Sequence, residues 1–179
     1  MNTAALKPTH AATMSRSLPR RLTGPLQSVH GLLRRIPNSF IALLARFAIA
    51  ATFWKSGQTK IEGLSIDIVE GTFKLGWPHL SDSAVQLFRD EYKLPLVPPE
   101  LGATLAALGE HLLPLFILFG LATRLSALGL MGMTAVIQLF VYPGAYATHG
   151  VWAALLLYLM VHGPGRVSVD AALARRFGG

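Results

Sequence analysis

No Asp, Glu, Lys or Arg occurs between Arg124 and Arg166, which leaves residues 125–165 as an uncharged run of 41. As one straight helix it would measure about 60 Å, twice the hydrocarbon thickness of a bilayer. Tyr142-Pro143-Gly144 interrupts it near the middle with a turn signal. The run therefore reads as a helical hairpin that crosses a membrane twice. A hydrophobic content of 52% and a mean hydropathy of +0.46 exceed what a soluble domain of 179 residues usually carries.

Two further crossings precede it. One covers about 39–56, interrupted by Arg46 and closed by Trp54-Lys55, an interface anchor pair. The next covers about 100–121 and contains Glu110 and His111. The uncharged run then supplies spans at about 124–142 and 148–162, the last short enough to need tilt or bilayer thinning. Tyr142, Tyr146 and Trp152 form an aromatic belt at the end these two share. The predicted fold is an all-α membrane protein, a bundle of four transmembrane helices.

Lys and Arg fix its orientation. The N-terminal region, the 122–124 turn and the C-terminal tail hold ten; the opposite side holds Lys55, Lys60, Lys74, Arg89 and Lys93 alongside seven carboxylates. Both termini are expected in the cytoplasm.

Residues 1–38 carry six of the basic residues and no acid, part of a net charge of +7. Beside a span, such a stretch meets anionic lipid headgroups rather than nucleic acid. It lacks an apolar core next to a cleavage site, so a cleaved signal peptide is not expected. Residues 1–20 are polar and proline-containing and read as disordered. Leu22, Leu26, Val29, Leu33 and Ile36 keep helical spacing, as in an amphipathic helix lying on the headgroups. The expected organisation is this extension over 1–38, a membrane domain over 39–172 and a basic tail over 173–179.

Residues 57–99 form the one sizeable segment outside the bilayer. Ile66, Ile68, Phe73 and Leu75 alternate with polar residues around Glu70-Gly71, which predicts a short hairpin. Ser83-Ala84-Val85-Gln86 has the pattern of a capping box and predicts a helix to about Tyr92.

Function is then read from the polar groups inside. Charged side chains within a membrane are costly and face the bundle interior. Arg46 and Glu110 have similar depths when counted from the span ends, which predicts an ion pair between antiparallel neighbours. The pair either locks helix register or forms a polar site for a ligand or proton. His111 points about 100° away from Glu110 on the same helix and shares the site or bonds a backbone carbonyl. Pro114, one turn on, deprives the Glu110 carbonyl of its helical bond and favours a kink there. Gly102, Ala106, Gly109, Ala127, Gly129 and Gly132 mark close helix packing. The chain has no cysteine, so it performs no thiol–disulfide chemistry itself. His79, His111, His149 and His162 have no spacing that suggests a metal or haem site, and neither is expected.

These residues resemble the DoxX family of small four-span bacterial inner-membrane proteins. The resemblance covers about 37–172. It rests on an arginine in the first span followed by Phe-Trp-Lys-Ser-Gly-Gln-Thr-Lys (53–60), then Leu-Phe-Arg-Asp-Glu-Tyr-Lys-Leu-Pro (87–95) and Glu110. It continues with Gly-Leu-Ala-Thr-Arg (120–124) and Gly-Pro-Gly-Arg-Val-Ser-Val-Asp (163–170). The family is named for a subunit of a thiosulfate:quinone oxidoreductase, and other members are linked to membrane assemblies handling oxidative or thiol stress.

The resemblance implies a quinone-facing or accessory membrane subunit with protein partners. Arg46, Lys60, Glu110 and Arg124 would be its site positions, beside His111, and Glu110 would handle a proton. It also implies that Gly57 lets the chain leave the first span so that Lys60 pairs with Glu100 at the rim. The alternatives are a non-catalytic scaffold that anchors a partner through 57–99, and a small-solute carrier.

Overall fold

The computed structural model describes residues 28–67 and 71–178, in two units, Met1–Ile36 and Pro37–Gly179. In the first, residues 28–33 are helical, with Val29, Leu32 and Leu33 exposed. Leu22, Leu26, Ile68, Glu70 and the expected disorder over 1–20 lie outside the described residues.

The second unit contains α1 (Asn38–Gln58), β1 (Ile61–Asp67), β2 (Thr72–Leu80), α2 (Asp82–Leu87), α3 (Pro99–Phe119), α4 (Thr123–Val136), α5 (Tyr146–His162) and α6 (Val169–Phe177). A π-helical turn, Phe88–Tyr92, prolongs α2 and another, Ile137–Val141, prolongs α4; a 3₁₀ turn, Pro143–Ala145, leads into α5. Four helical segments are long and apolar enough to cross a membrane, with mean hydropathies of 1.3 to 1.6. The fourth is longer than the sequence suggested, 20 residues over Pro143–His162. Pro143 starts that segment instead of merely breaking the chain, since a proline at a first helical position loses no helical hydrogen bond.

The helices form a ring in chain order, α1 against α3, α3 against α4, α4 against α5 and α5 against α1. Ile49, Phe53, Ile117, Ala127, Leu130, Leu156 and Leu159 meet at its centre. Phe40, Leu44, Phe47, Leu105, Leu108, Leu128 and Leu157 face outward, an arrangement suited to oil rather than water. The small residues act where helices meet: Gly109 lies against Met133, Gly129 against Leu113 and Gly102 against Phe88, while Gly132 has no such neighbour.

β1 and β2 form an antiparallel hairpin with Ile66 opposite Phe73 and Leu64 opposite Leu75. α2 begins earlier than the sequence suggested. Ser81, not Ser83, is its cap: Ser81 Oγ accepts the Ala84 N–H at 3.2 Å and the Ser83 hydroxyl at 3.1 Å. Phe88 then packs with Ala84 and Ala103, fastening this segment to the first turns of α3.

One feature of the packing governs the polar interior. α1 and α3 have the same length, 21 residues each, but are staggered. Arg46 meets Ile117, and Gly57 meets Glu110 and His111. The start of α1 is covered instead by the 163–168 loop, with Gly165 against Ser39 and the Arg166 N–H on Ser39 Oγ at 3.1 Å. The start of α3 is covered by α2 and its π-helical turn.

Candidate functional site

The buried face of α1 runs through Ala42, Arg46, Ile49, Phe53 and Gly57. Arg46, near the start of α1 and at the end of the bundle that carries the C-terminal tail (the tail end), makes no pair with Glu110. Its Nε donates to the Ile117 carbonyl at 2.8 Å and its Nη2 to that of Leu118. Its Nη1 donates to the carbonyls of Pro164 at 3.1 Å and Val167 at 2.6 Å. Ile117 and Leu118 belong to the last turn of α3, where carbonyls lack the usual i+4 partner, although that of Ile117 also accepts the Gly120 N–H at 3.0 Å. The stagger is the reason the expected pair fails. Arg46 lies opposite Ile117, seven residues past Glu110, which is about 10 Å along the axis.

Glu110 is held from the other direction, by Lys60. Lys60 Nζ lies 2.7 Å from Glu110 Oε2, and the two side chains are 5% and 4% exposed. The same ammonium reaches Ser56 Oγ at 3.1 Å and the Ser56 carbonyl at 3.3 Å. Glu110 Oε1 has no hydrogen-bond partner among the described residues. Lys60 lies two residues beyond α1, yet its N–H still bonds the Gly57 carbonyl at 2.9 Å, so the chain continues the helical turn inward. The expected Lys60–Glu100 rim pair does not form: Glu100 binds Arg89 at 2.7 Å, on the exposed surface.

Gly57 does not serve as an exit from the span. It lies inside α1, where a Cβ would be 2.8 Å from His111 Cε1 and 3.0 Å from the Glu110 carbonyl oxygen. Glycine is what permits α1 and α3 to come this close, and that closeness brings Lys60 within reach of Glu110.

His111 stands beside the pair in a network whose hydrogens are fixed end to end. Its Nδ1 lies 2.7 Å from the Ala107 carbonyl, which can only accept, so Nδ1 carries the proton. Its Nε2 then accepts from Gln58 Nε2 at 2.8 Å, and Gln58 Oε1 accepts the Ile66 N–H at 2.7 Å. This neutral relay ties the hairpin to α3.

A family model described as DoxX matches residues 41–143. The chain belongs to the DoxX family. The match takes in Arg46, Lys60, Glu110, His111 and Arg124 and stops short of 163–170. No curated protein and no solved structure matches the chain.

Arg124 of this DoxX protein is distant from the pair. It is exposed at the start of α4, with Nη2 3.4 Å from the Val161 carbonyl. There it lines an open depression of about 470 Å³ with Thr123, His162 and Asp170. Asp170 caps α4 from outside that helix: its carboxylate oxygens accept the Ala122 and Thr123 N–H groups at 2.8 and 2.9 Å. The segments 120–124 and 163–170 therefore belong to one structural knot with Arg46. Gly120, at φ +69°, closes it where Ser168 and Arg46 leave no space for a Cβ.

A second depression, about 530 Å³, opens beside α1 among Ala51, Thr52, Lys55, Ser56 and Thr59. Ser56 both lines it and holds Lys60, which places one residue between an outward-facing hollow and the buried pair.

Tyr92, which the sequence marked only as the end of a helix, and Tyr142, read there as a belt residue, join the polar set. The Tyr92 and Tyr142 rings meet edge to face at 5.7 Å, and the Tyr142 hydroxyl donates to Glu91 Oε1. Burial pushes the Tyr92 phenol up from its ordinary value, and the negative charge of Glu110 adds to that. The Tyr142 phenol is pushed up chiefly by its bond to the Glu91 carboxylate. Both remain protonated donors through neutral pH. No sequence signal pointed to them: each follows or ends a π-helical turn, Phe88–Tyr92 or Ile137–Val141, which a 3.6-residue period does not reveal.

Proposed function

We propose that this DoxX protein is an accessory membrane subunit of an oxidoreductase assembly, facing a lipid-borne quinone, with Glu110 as its proton-handling group. It would reside in a bacterial inner membrane with both termini cytoplasmic. The basic residues before Asn38 would meet anionic headgroups. The observation that carries this reading is the buried Lys60–Glu110 pair with Ser56 between it and an open hollow.

The residues present fit a quinone headgroup. Of the groups at the rim of the hollow, the Lys55 ammonium and the Ser56 hydroxyl could donate to a quinone carbonyl, whereas the Thr52 and Thr59 hydroxyls already donate to the Ala48 and Ser56 carbonyls; the outward face would meet acyl chains. A quinone supplies two-electron, two-proton chemistry when bound. The chain has no cysteine and so no thiol–disulfide centre of its own; in this reading the electrons would come from a partner subunit that carries a redox centre.

Lys60 holds Oε2 of Glu110, and Oε1, which has no hydrogen-bond partner among the described residues, is the oxygen that would exchange a proton. Tyr92 feels the Glu110 charge and meets Tyr142 edge to face, and the Tyr142 hydroxyl contacts Glu91 on the surface. These groups would connect Glu110 to the hairpin side without crossing the bundle. Ser56 would transmit a change at the hollow to the ammonium it binds.

Native purification into nanodiscs, followed by mass spectrometry of bound lipids, tests the proposal. Quinone should accompany the wild type and be lost in Thr52→Trp, which fills the hollow. Glu110→Gln should bind quinone but lose proton uptake on its reduction. A native protein that neither carries nor takes up quinone would contradict the reading.

The near-complete enclosure of the pair favours one second reading, a non-catalytic scaffold. A stoichiometric partner, lost on deletion of 82–92 and indifferent to Glu110→Gln, would decide for it.

A further inference from the structure

We infer that the β1–β2 hairpin is a membrane-surface element, whose β2 edge lays Phe73, Leu75 and Trp77 into the interfacial layer of the leaflet at the hairpin end. These three side chains are 64%, 84% and 89% exposed, far more apolar surface than a two-stranded ribbon normally leaves in water. A lone hairpin has marginal stability and needs something against its apolar face.

The hairpin has two chemically distinct faces. Between the turn and the irregularity at Glu62/Leu64, directly opposed residues share a face, and the pairs Ile66–Phe73 and Leu64–Leu75 make one apolar; beyond the irregularity the ribbon carries the exposed Glu62–His79 pair. The pairs Ser65–Lys74 and Asp67–Thr72 make the other polar. Coverage within the protein is one-sided along the apolar face. Leu64 and Ile66 on β1 are half-buried, whereas Phe73 and Leu75 on β2 are open.

Depth decides the occupant. Only Thr59 and Lys60 separate α1 from β1, so the hairpin cannot rise far from the end of the span. Two bonds then pin Ile66 to the last turns of α1. Trp54 Nε1 donates to its carbonyl at 3.2 Å, and Gln58 Oε1 accepts its N–H. Trp54 followed by Lys55 is the pair that marks a span's interface. Phe73 sits one strand spacing from Ile66, about 4.8 Å away, and so lies at the same level. Lys74, on the polar face beside these residues, suits phosphate headgroups. An apolar strip held at interface depth meets lipid, not a soluble protein. The inference is independent of any role for Glu110.

The absence of cysteine makes the test direct. Single variants Phe73→Cys, Leu75→Cys and Trp77→Cys, with Lys74→Cys as the opposite-face control, are spin-labelled in nanodiscs of phosphatidylcholine and phosphatidylglycerol. Collision rates with oxygen, which concentrates in lipid, are compared with those of a water-soluble nickel chelate. The three apolar positions should favour oxygen several-fold over the control position. Equal or higher nickel accessibility at 73 and 75 would overturn the inference. Labels immobilised and inaccessible to both reagents would also overturn it, by showing a protein partner or a second copy on this face.

Discussion

The two ends of the bundle each bury one cation from the same face of α1, and they satisfy it in opposite ways. At the tail end Arg46 spreads its guanidinium over four backbone carbonyls from α3 and the 164–167 segment. At the hairpin end Lys60 gives its ammonium to one carboxylate and one serine. Guanidinium does not lose its proton in proteins, and carbonyls cannot take one. The tail end is therefore a fixed knot. An ammonium beside a carboxylate can exchange charge for neutrality by moving a single proton. The contrast separates a structural lock from a protonatable site.

The sharpest way to break this contrast is to remove the lock. Arg46→Ala should untie α1 from the end of α3 and the 164–167 segment, leaving the Leu118, Pro164 and Val167 carbonyls without their common donor, and cost about 3 kcal/mol, seen as lost accumulation or a large fall in thermal stability. Arg46→Lys should restore little, because one ammonium cannot span carbonyls from two segments. Since Arg46 and Glu110 do not touch, Arg46→Glu combined with Glu110→Arg should recover nothing over the single changes.

Next in size is the close approach of α1 and α3. Gly57→Val places atoms where His111 and the Glu110 carbonyl already lie. Overpacking there should cost about 1–3 kcal/mol in thermal or denaturant unfolding. It should also loosen the hairpin, read as faster amide exchange over 61–67.

A smaller effect is expected at the tail end from Asp170→Asn, which keeps one acceptor but removes the charge that caps α4. A loss of about 1 kcal/mol is expected, with faster exchange at the Ala122 and Thr123 amides.

The smallest effect concerns pH. Tyr142 has its folded pKa raised above the unfolded value of about 10. Its contribution is fully present below that pH and is lost as pH climbs above it, because the unfolded chain then releases the proton first. Tyr142→Phe should flatten the alkaline fall in stability measured between about pH 9 and 11.

The four spans and the hairpin were legible because hydropathy and alternation are local properties. The interior pairing was not. Counting residues from span ends assumes that neighbouring helices start level, and α1 and α3 do not. Their displaced ends are covered by the 163–168 loop and by α2, segments whose docking depends on tertiary contacts such as Phe88 against Gly102. The inward turn of Lys60 toward Glu110 could have been found. Arg46, Phe53 and Lys60 recur every seven residues, with Gly57 between, so Lys60 continues the buried face past the end of the helix. What hid it was the assumption that a charge beyond a span belongs to water.

The central claim is that Lys60 and Glu110 neutralise each other inside the membrane domain. A double-mutant cycle on unfolding free energy in lipid nanodiscs, using Lys60→Met, Glu110→Gln and the pair together, addresses it directly. Each single change should strand a buried partner, and the double variant should be no less stable than the worse single, a coupling of roughly 1–3 kcal/mol. Losses that simply add, within about 0.5 kcal/mol, would show that the two groups do not meet.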